Sequence, residues 1–228
     1  MSLSLPKFVI LTGSERAHGN TDQIAAYINA LLDGMDCATD VIHLREHHIL
    51  PCGSCGECNM RASACHIDDD MPLVISRLRQ ADGIVYAAPV HGYGMAHPMQ
   101  IFIERAGVGY LRFERPLANK VAGAVVTGRR YSHEAVAAQL INNILLNRMI
   151  LVGSGYPAIV HGGSPGAALH DKEGLESIRM LIARMAGMVN LMRSLSPEAI
   201  VRHLSPDTSN ERHTGSSLPS HYQSVLLE

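Results

Sequence analysis

Residues 12–21, Thr-Gly-Ser-Glu-Arg-Ala-His-Gly-Asn-Thr, set the hydroxyls of Ser14 and Thr21, the amide of Asn20 and the guanidinium of Arg16 among small residues. A helix-patterned segment follows directly. The N–H groups of a helix start have no intrahelical acceptor, so with Arg16 they make an anion site suited to a phosphate. A triphosphate loop needs G-x-x-x-x-G-K-[ST], but here five residues separate Gly13 from Gly19 and the next residue is Asn20, not lysine. The dinucleotide fingerprint G-x-G-x-x-G is absent too. The loop suits one terminal phosphate, as on a mononucleotide such as FMN. The plain alternative is an ordinary turn in which Asn20 or Thr21 caps the helix.

A second chemical stretch is Cys52-x-x-Cys55-x-x-Cys58, then six residues, then Cys65. Two-residue gaps let a loop fold its thiolates inward around one inorganic core, which points to a [4Fe–4S] cluster. Zinc is the rival, because four-cysteine zinc sites use the same gaps and His47, His48 and His66 lie close by in sequence. Four loop thiols without a metal are the third reading. Cys37 stands outside the group and reads as a small buried residue. Of thirteen histidines, only His91 falls in a loop with its own claim to a site. There a neutral imidazole could hydrogen-bond a flavin or a substrate oxygen, or serve only packing.

The elements that must position these residues follow from periodicity. Residues 8–11 form a short apolar strand, and Ile24, Ile28, Leu31 and Leu32 recur at helical spacing in a helix that stops near Gly34. A second strand spans 40–44, and residues 45–70 form an irregular, cysteine-rich insertion. Residues 71–81 are helical, 84–88 a third strand, and 89–94 (Pro89, Val90, His91, Gly92, Tyr93, Gly94) its glycine-rich exit loop. A helix begins about Pro98. Residues 120–126 make a fourth buried strand with Thr127, Gly128, Arg129, Arg130 and Tyr131 as its exit. Then come a helix over 132–148 with Ser132 as its N-cap, a short fifth strand at 150–153, and irregular chain to 166. The last long helix, 175–195, carries Ile178, Leu181, Met185, Met188 and Met192 in a stripe that belongs to the core or to a subunit interface. Strands alternating with helices predict a doubly wound parallel sheet in the order 2-1-3-4-5, with a ligand outside the carboxyl ends where strands one and three part. Residues 1–195 read as one domain and 196–228 as a polar tail, either partly disordered or docking on a partner subunit, for which its stretch 222–227 is apolar enough.

Composition narrows the function. The 228 residues are 46% hydrophobic, enough for a sizeable core, and the net charge of −2 gives no electrostatic case for nucleic acid or an anionic membrane. No apolar run approaches the ~20 residues of a membrane span, and the first residues lack a signal peptide's pattern, so a cytoplasmic protein is expected.

At these residues the chain resembles the NAD(P)H-dependent FMN reductase family and, within it, the iron–sulfur flavoproteins. Residues 12–21 resemble the family's G-S-x-R-x-x-x-N/G-T phosphate loop. Residues 51–58 and 65–71 are similar to its compact cysteine segment, which ends in Asp-Asp-Met at a helix start. Residues 81–91 are similar to A-D-x-I-x-x-x-S-P-V-Y, with Ala88 in place of serine and His91 in place of tyrosine; residues 99–105, MQIFIER, stand where the family often reads L-K-x-F-x-D-R. The resemblance spans residues 7–195. It implies a flavodoxin-like fold in which Ser14, Arg16, Asn20 and Thr21 hold the FMN phosphate. Residues 89–94 would lie against the isoalloxazine, and Thr127, Gly128, Arg129 and Tyr131 would border its far side. It further implies NAD(P)H as hydride donor, a small-molecule or protein electron acceptor, and a homodimer or homotetramer in which each cysteine segment can approach a neighbour's flavin. The flavin would carry the chemistry, with His91 the one candidate side chain. The rival function is an electron carrier or redox sensor with no turnover of its own.

Overall fold

The computed structural model describes residues 4–53, 65–107, 111 and 115–204. Cys55, Cys58 and the tail beyond residue 204 lie outside the described residues. Strand β1 (Lys7–Thr12) runs parallel between β2 (Ala38–His43) and β3 (Gly83–His91), and β5 (Val121–Gly128) continues the sheet on the far side of β3. Phe8, Val9, Ile10 and Leu11 are wholly buried on both faces, which is why their sequence is continuously apolar rather than alternating.

Two layers of helices cover the sheet. On one face α1 (Asn20–Asp33) and α5 (Lys172–Ser194) pack Ile24, Ile28, Ile178, Leu181 and Met185 against Phe8, Ile10 and Val125. On the other, α2 (Met71–Arg79), α3 (His97–Arg105) and α4 (His133–Leu146) bring Val74, Leu78, Phe102, Val136 and Leu140 onto Val9, Leu11 and Ile84. The stripe on the last long helix is therefore the chain's own core: Ile178 and Met185 are fully buried, and Met188 and Met192 pack at its margin. A short amphipathic helix, α6 (Pro197–Leu204), follows and has no buried residue.

The architecture agrees with the expected order, with three local differences. The outermost position is shared by two short strands, β6 (Ile150–Leu151) beside Val121 and Ala122, and β7 (Ala158–His161) beside residues 125–128. Between them Gly155, at φ +107°, and Pro157, which has no N–H to donate, cannot continue a ladder. The stretch after strand three is not a plain loop. Strand β3 runs on to His91, turns at Gly92 and Tyr93 (φ +57° and +66°) and returns as β4 (Gly94–Met95), a two-residue hairpin of type I′. Ser132 stands at the N-cap position of α4, as expected, but at φ +62° its side chain makes no capping bond.

The cysteine segment is closed at its neck. The main chain of His48 both accepts from the Asp70 N–H (2.9 Å) and donates to the Asp70 carboxylate (2.7 Å). Asp69 accepts from the N–H groups of Leu50 (2.9 Å) and Met71 (3.1 Å) and pairs with Arg105, which also donates to the Leu50 carbonyl (3.0 Å). The Asp69 side chain is fully buried and that of Arg105 is 6% exposed. Burial alone would raise the Asp69 carboxyl, but the Arg105 bond and the two N–H bonds outweigh it and hold the group below the usual carboxylate range.

Because the folded-state value is depressed, the stabilisation from Asp69 is complete above the ordinary carboxylate range near pH 4 and is lost as pH falls through the lower folded value. Asp69→Ala leaves a guanidinium buried and unpaired and should cost about 3–5 kcal/mol in urea unfolding at pH 7. The variant should also lose less stability on acidification than the parent. A cost under about 1 kcal/mol, the range of an exposed pair, would remove the neck from the list of structural supports.

Candidate functional site

A cleft of about 270 Å³ opens at the carboxyl ends of the strands, between the loops that follow β1, β3, β5 and β7. Of the expected ligand residues, Ser14, Arg16, Asn20, Thr21, Pro89, Val90, His91, Thr127, Gly128 and Arg129 line it. An adjoining recess of about 410 Å³ is lined by Val90, Gly92, Tyr93, Arg129, Arg130 and Tyr131. Gly94 borders neither and instead pairs with His91 across the hairpin. The three loops singled out by composition thus meet at one edge of the sheet.

The phosphate-suited loop is shaped by packing from below. The Gly13 N–H donates to the Ala87 carbonyl (2.9 Å), and a Cβ on Gly13 would stand 2.3 Å from Cβ of Met99, so only glycine admits α3 this close. The Arg16 N–H donates to Ser14 Oγ (3.2 Å), curling the loop back toward the helix. Helix α1 starts after Gly19, and no side chain caps it. The N–H groups of its first turn, at Asn20 and Thr21, therefore lack intrahelical partners where they border the cleft. The exposed Arg16 adds a formal positive charge at the same place. Asp22, the acidic residue of that turn, is occupied elsewhere, accepting from the His18 N–H (2.8 Å) and from Arg45 Nη1 (2.9 Å).

Two of the expected phosphate residues have their side chains committed to the frame. Asn20 Nδ2 donates to the carbonyls of Gly162 (3.1 Å) and Ser164 (2.9 Å), and its Oδ1 accepts from the Ala168 N–H (3.3 Å). Asn20 is thereby a clamp on the loop after β7, whose Gly162, Gly163 and Pro165 form a wall of the cleft that composition alone did not single out. The signal available was the run of glycine and proline in that stretch. Thr21 Oγ1 lies 2.7 Å from Thr127 Oγ1 in a buried pair that joins the start of α1 to the end of β5. What remains for an anion is main-chain N–H and Arg16, together with the Ser14 hydroxyl once it turns from the Arg16 carbonyl to which it donates (3.2 Å).

The hairpin supplies the apolar side. Tyr93, held at φ +66° where a bulky residue is uncommon, stacks on Tyr131 with ring centroids 6.0 Å apart and planes 21° apart. Both rings are more than half exposed, a flat aromatic surface beside two arginines. Deeper, His133 is buried with no partner for Nε2, packs under Gly128, and lies 4.5 Å, centroid to centroid, from the His161 ring. Of the four candidate metal ligands, Cys52 is exposed and Cys65 half-buried. Among the described residues no three histidine, cysteine or acidic side chains are grouped for a metal, and Cys55 and Cys58 are not among them. His47 lies within reach of Asp70 (3.8 Å) and Arg77 (3.5 Å).

A doubly wound parallel sheet with an uncapped helix start and an aromatic hairpin at its carboxyl edge defines a flavodoxin-like protein. Residues 6–164 match the family model described as NADPH-dependent FMN reductase. An iron–sulfur flavoprotein of Methanocaldococcus jannaschii is 32% identical over 196 residues, covering 82% of this chain and 99% of the relative. A putative NAD(P)H-dependent FMN-containing oxidoreductase of Bacillus subtilis is 23% identical over 185 residues, covering 78% and 97%. Among solved structures, RosB with a bound formylriboflavin phosphate intermediate superposes with a TM-score of 0.65 at 16% identity, covering 94% of this chain and 90% of that one. The NAD(P)H:acceptor oxidoreductase FerB of Paracoccus denitrificans does so at 0.60 and 13%, covering 82% and 98%; these two likenesses establish the fold. The chain belongs to the NADPH-dependent FMN reductase family and is a flavin oxidoreductase.

Proposed function

We propose that the protein binds FMN in this cleft and passes electrons from NAD(P)H through it to an acceptor, with a [4Fe–4S] cluster on Cys52, Cys55, Cys58 and Cys65. The observation that carries the reading is the uncapped start of α1 beside Arg16, opening onto a cleft whose other side is an aromatic hairpin. The residues fit the cofactor. First-turn N–H groups, Ser14 and Arg16 hold the phosphate, while Asn20 and Thr21 act through the frame they lock. Pro89, Val90 and His91 border the ring, and Thr127, Gly128 and Arg129 close the opposite side. Tyr93 and Tyr131 offer a planar platform, with Arg129 and Arg130 beside it, to a nicotinamide dinucleotide or an aromatic acceptor. Bound FMN would accept a hydride and release electrons singly or in pairs.

Support for the cluster comes from the cysteine spacing, from relatives named iron–sulfur flavoproteins, and from a neck that holds both flanks of the segment together. A cluster there would accept one electron at a time. No helix among the described residues is long and apolar enough to cross a membrane. The proposal places the enzyme in the cytoplasm as a homodimer or homotetramer. Its contact surface would draw on Leu191, Leu195 and Val201, which stay exposed where α5 meets α6, rather than on the inward-packed methionines.

The FMN-loaded protein should bleach within seconds when mixed anaerobically with NADH or NADPH. Arg16→Ala should weaken FMN by roughly one to two decades, since a charge-assisted contact is worth about 1.5–3 kcal/mol. Unchanged affinity would take the phosphate away from this loop, and no bleaching with either nucleotide would leave a carrier instead of a reductase. Serine at any one of Cys52, Cys55, Cys58 and Cys65 should abolish most of the bound iron and sulfide, whereas Cys37→Ser should not; zinc in anaerobically purified protein would refute the cluster. Light scattering at micromolar concentration should give a multiple of the 24.7 kDa chain mass, and the single-chain mass in fully active enzyme would discard the oligomer.

A further inference from the structure

The sheet has one edge that the fold covers only in part. Strands β6 and β7 pair on their inner side with β5, and no further strand lies outside them among the described residues. The β7 half is closed by the start of α5. There the His161 N–H donates to Asp171 (2.7 Å), and Gly174 sits so close that a Cβ on it would stand 2.6 Å from the Ile159 carbonyl oxygen. The β6 half lacks an equivalent among the described residues. Ile150 and Val152 donate to the carbonyls of Lys120 and Ala122 (2.9 Å each), so Leu151 between them turns its own N–H and C=O outward.

Where β6 has stopped and β7 has not begun, residues 153–157 leave an apolar recess of about 230 Å³. Val152, Ala158 and Leu181 form its buried floor, and Ile141, Leu151 and Tyr156 its rim. Leu145, one turn beyond Ile141 on the same side of α4, extends that rim. Leu145 and Tyr156 are more than half exposed and Leu151 is 38% exposed. Outward main-chain groups beside exposed apolar side chains are what an added strand pairs with.

The chain beyond α6 sets out close to this edge. The carbonyl of Leu204, the last described residue, accepts from Asn119 Nδ2 (2.7 Å), and the Asn119 N–H donates to the carbonyl of Arg148 (3.0 Å), just ahead of β6. Residues 205–221 are mostly polar, with glycine, serine and proline among them, and lead to the apolar stretch Tyr222-Gln-Ser-Val-Leu-Leu227. As a coil, the about eighteen residues from Leu204 to Tyr222 would reach roughly 21–25 Å. The recess lies at a similar distance. Asn119 precedes Val125, which pairs with Ala158 at the recess, by six strand positions, or about 20 Å at ~3.3 Å each.

We propose that residues 222–227 dock on the β6 half of the edge of their own chain, filling the recess with apolar side chains and pairing with the main chain of Leu151. The inference is independent of the flavin reading. A tether whose reach matches the span gives an effective concentration on the order of 1 mM, so a segment that would bind only at ~0.1 mM when free is docked about nine-tenths of the time. A second copy at micromolar concentration has no such advantage, which commits the segment to its own edge. Arg184, in a recess on the other side of the same glycines, offers a charge to Glu228. Docking closes the edge to strand pairing with other chains and leaves self-association to other surfaces.

Hydrogen exchange on the full chain tests this, with Leu226→Asp and Leu227→Asp combined as the variant, since both lie outside the described fold. The amides of residues 151–156 should exchange about tenfold faster in the variant, as nine-tenths occupancy requires, while those of β1 stay unchanged. The parent's rates should be equal at about 1 and about 50 μM protein. Isotope-labelled variant mixed with an excess of unlabelled parent should keep its fast exchange. From the tail's side, Tyr222→Trp introduces the chain's one tryptophan, and adding Leu151→Asp should move its emission to longer wavelength. A difference below about twofold between parent and variant, or an emission indifferent to Leu151→Asp, overturns the proposal. Protection restored to the labelled variant by the parent overturns it in favour of a second copy's tail.

Discussion

A guanidinium buried to the extent of Arg105 cannot stand in a protein interior unless a carboxylate meets it, and the carboxylate that meets it, Asp69, is more deeply buried still. That pair decides much of the surrounding geometry. Asp69 also receives the N–H groups of Leu50 and Met71, so one side chain fixes where the cysteine segment leaves the fold, where it returns, and where α2 begins. The Asp-Asp-Met sequence acquires a physical meaning from this: Asp69 is the interior anchor, Asp70 closes the neck against His48, and Met71 starts the helix and fills the core. An insertion of such irregular composition is tolerated because its ends are held together, and its length then adds little entropic cost to the fold.

At the cleft the same division between frame and contact recurs. Asn20 and Thr21 have the chemistry to meet a phosphate, yet their side chains tie α1 to the loop after β7 and to β5. This leaves the anion to main-chain donors, which are fixed by the helix and need no side-chain ordering on binding. Gly13 lets α3 press against the loop from below, so the donors rest on packed helix rather than on solvent. The aromatic side is built differently. Its tip residue, Tyr93, sits in a left-handed conformation that the two-residue hairpin demands, and the Tyr131 ring beside it is carried by the exit of β5.

What could be read from the sequence was whatever a local pattern determines. Strands β1, β3 and β5 are buried on both faces and show as apolar runs; α1 and α5 show as helical stripes. Strand β7 did not show, because four residues after a proline carry no period, and its strand character comes from pairing with β5. Ser132 has the residue type of a cap but a left-handed backbone, which type alone does not reveal. The ligand loops were legible as loops with suitable groups, but the direction of each group was not. Asn20 finds its partners 142 and more positions away, and Thr21 finds Thr127 across 106. Glu15 passed as a variable position inside a motif for the same reason: His97, 2.5 Å from its carboxylate, lies on another element, and only the fold brings the two together.

Helix α3 joins the two chemical regions. Its first residue, His97, meets Glu15 at the cleft, its third, Met99, supports Gly13, and its last, Arg105, holds the neck of the cysteine segment. At 1.5 Å per residue, the ends of the helix lie only about 12 Å apart. Phe102, fully buried between them, anchors the helix to the core, so neither end can shift without disturbing tightly packed side chains. The rim of the cleft and the flanks of the cysteines are therefore fastened to one short rigid body. A displacement of the cysteine flanks relative to the cleft would have to break the Asp69–Arg105 pair or deform α3. Both are expensive, so the spacing between the two regions is a property of the native fold itself.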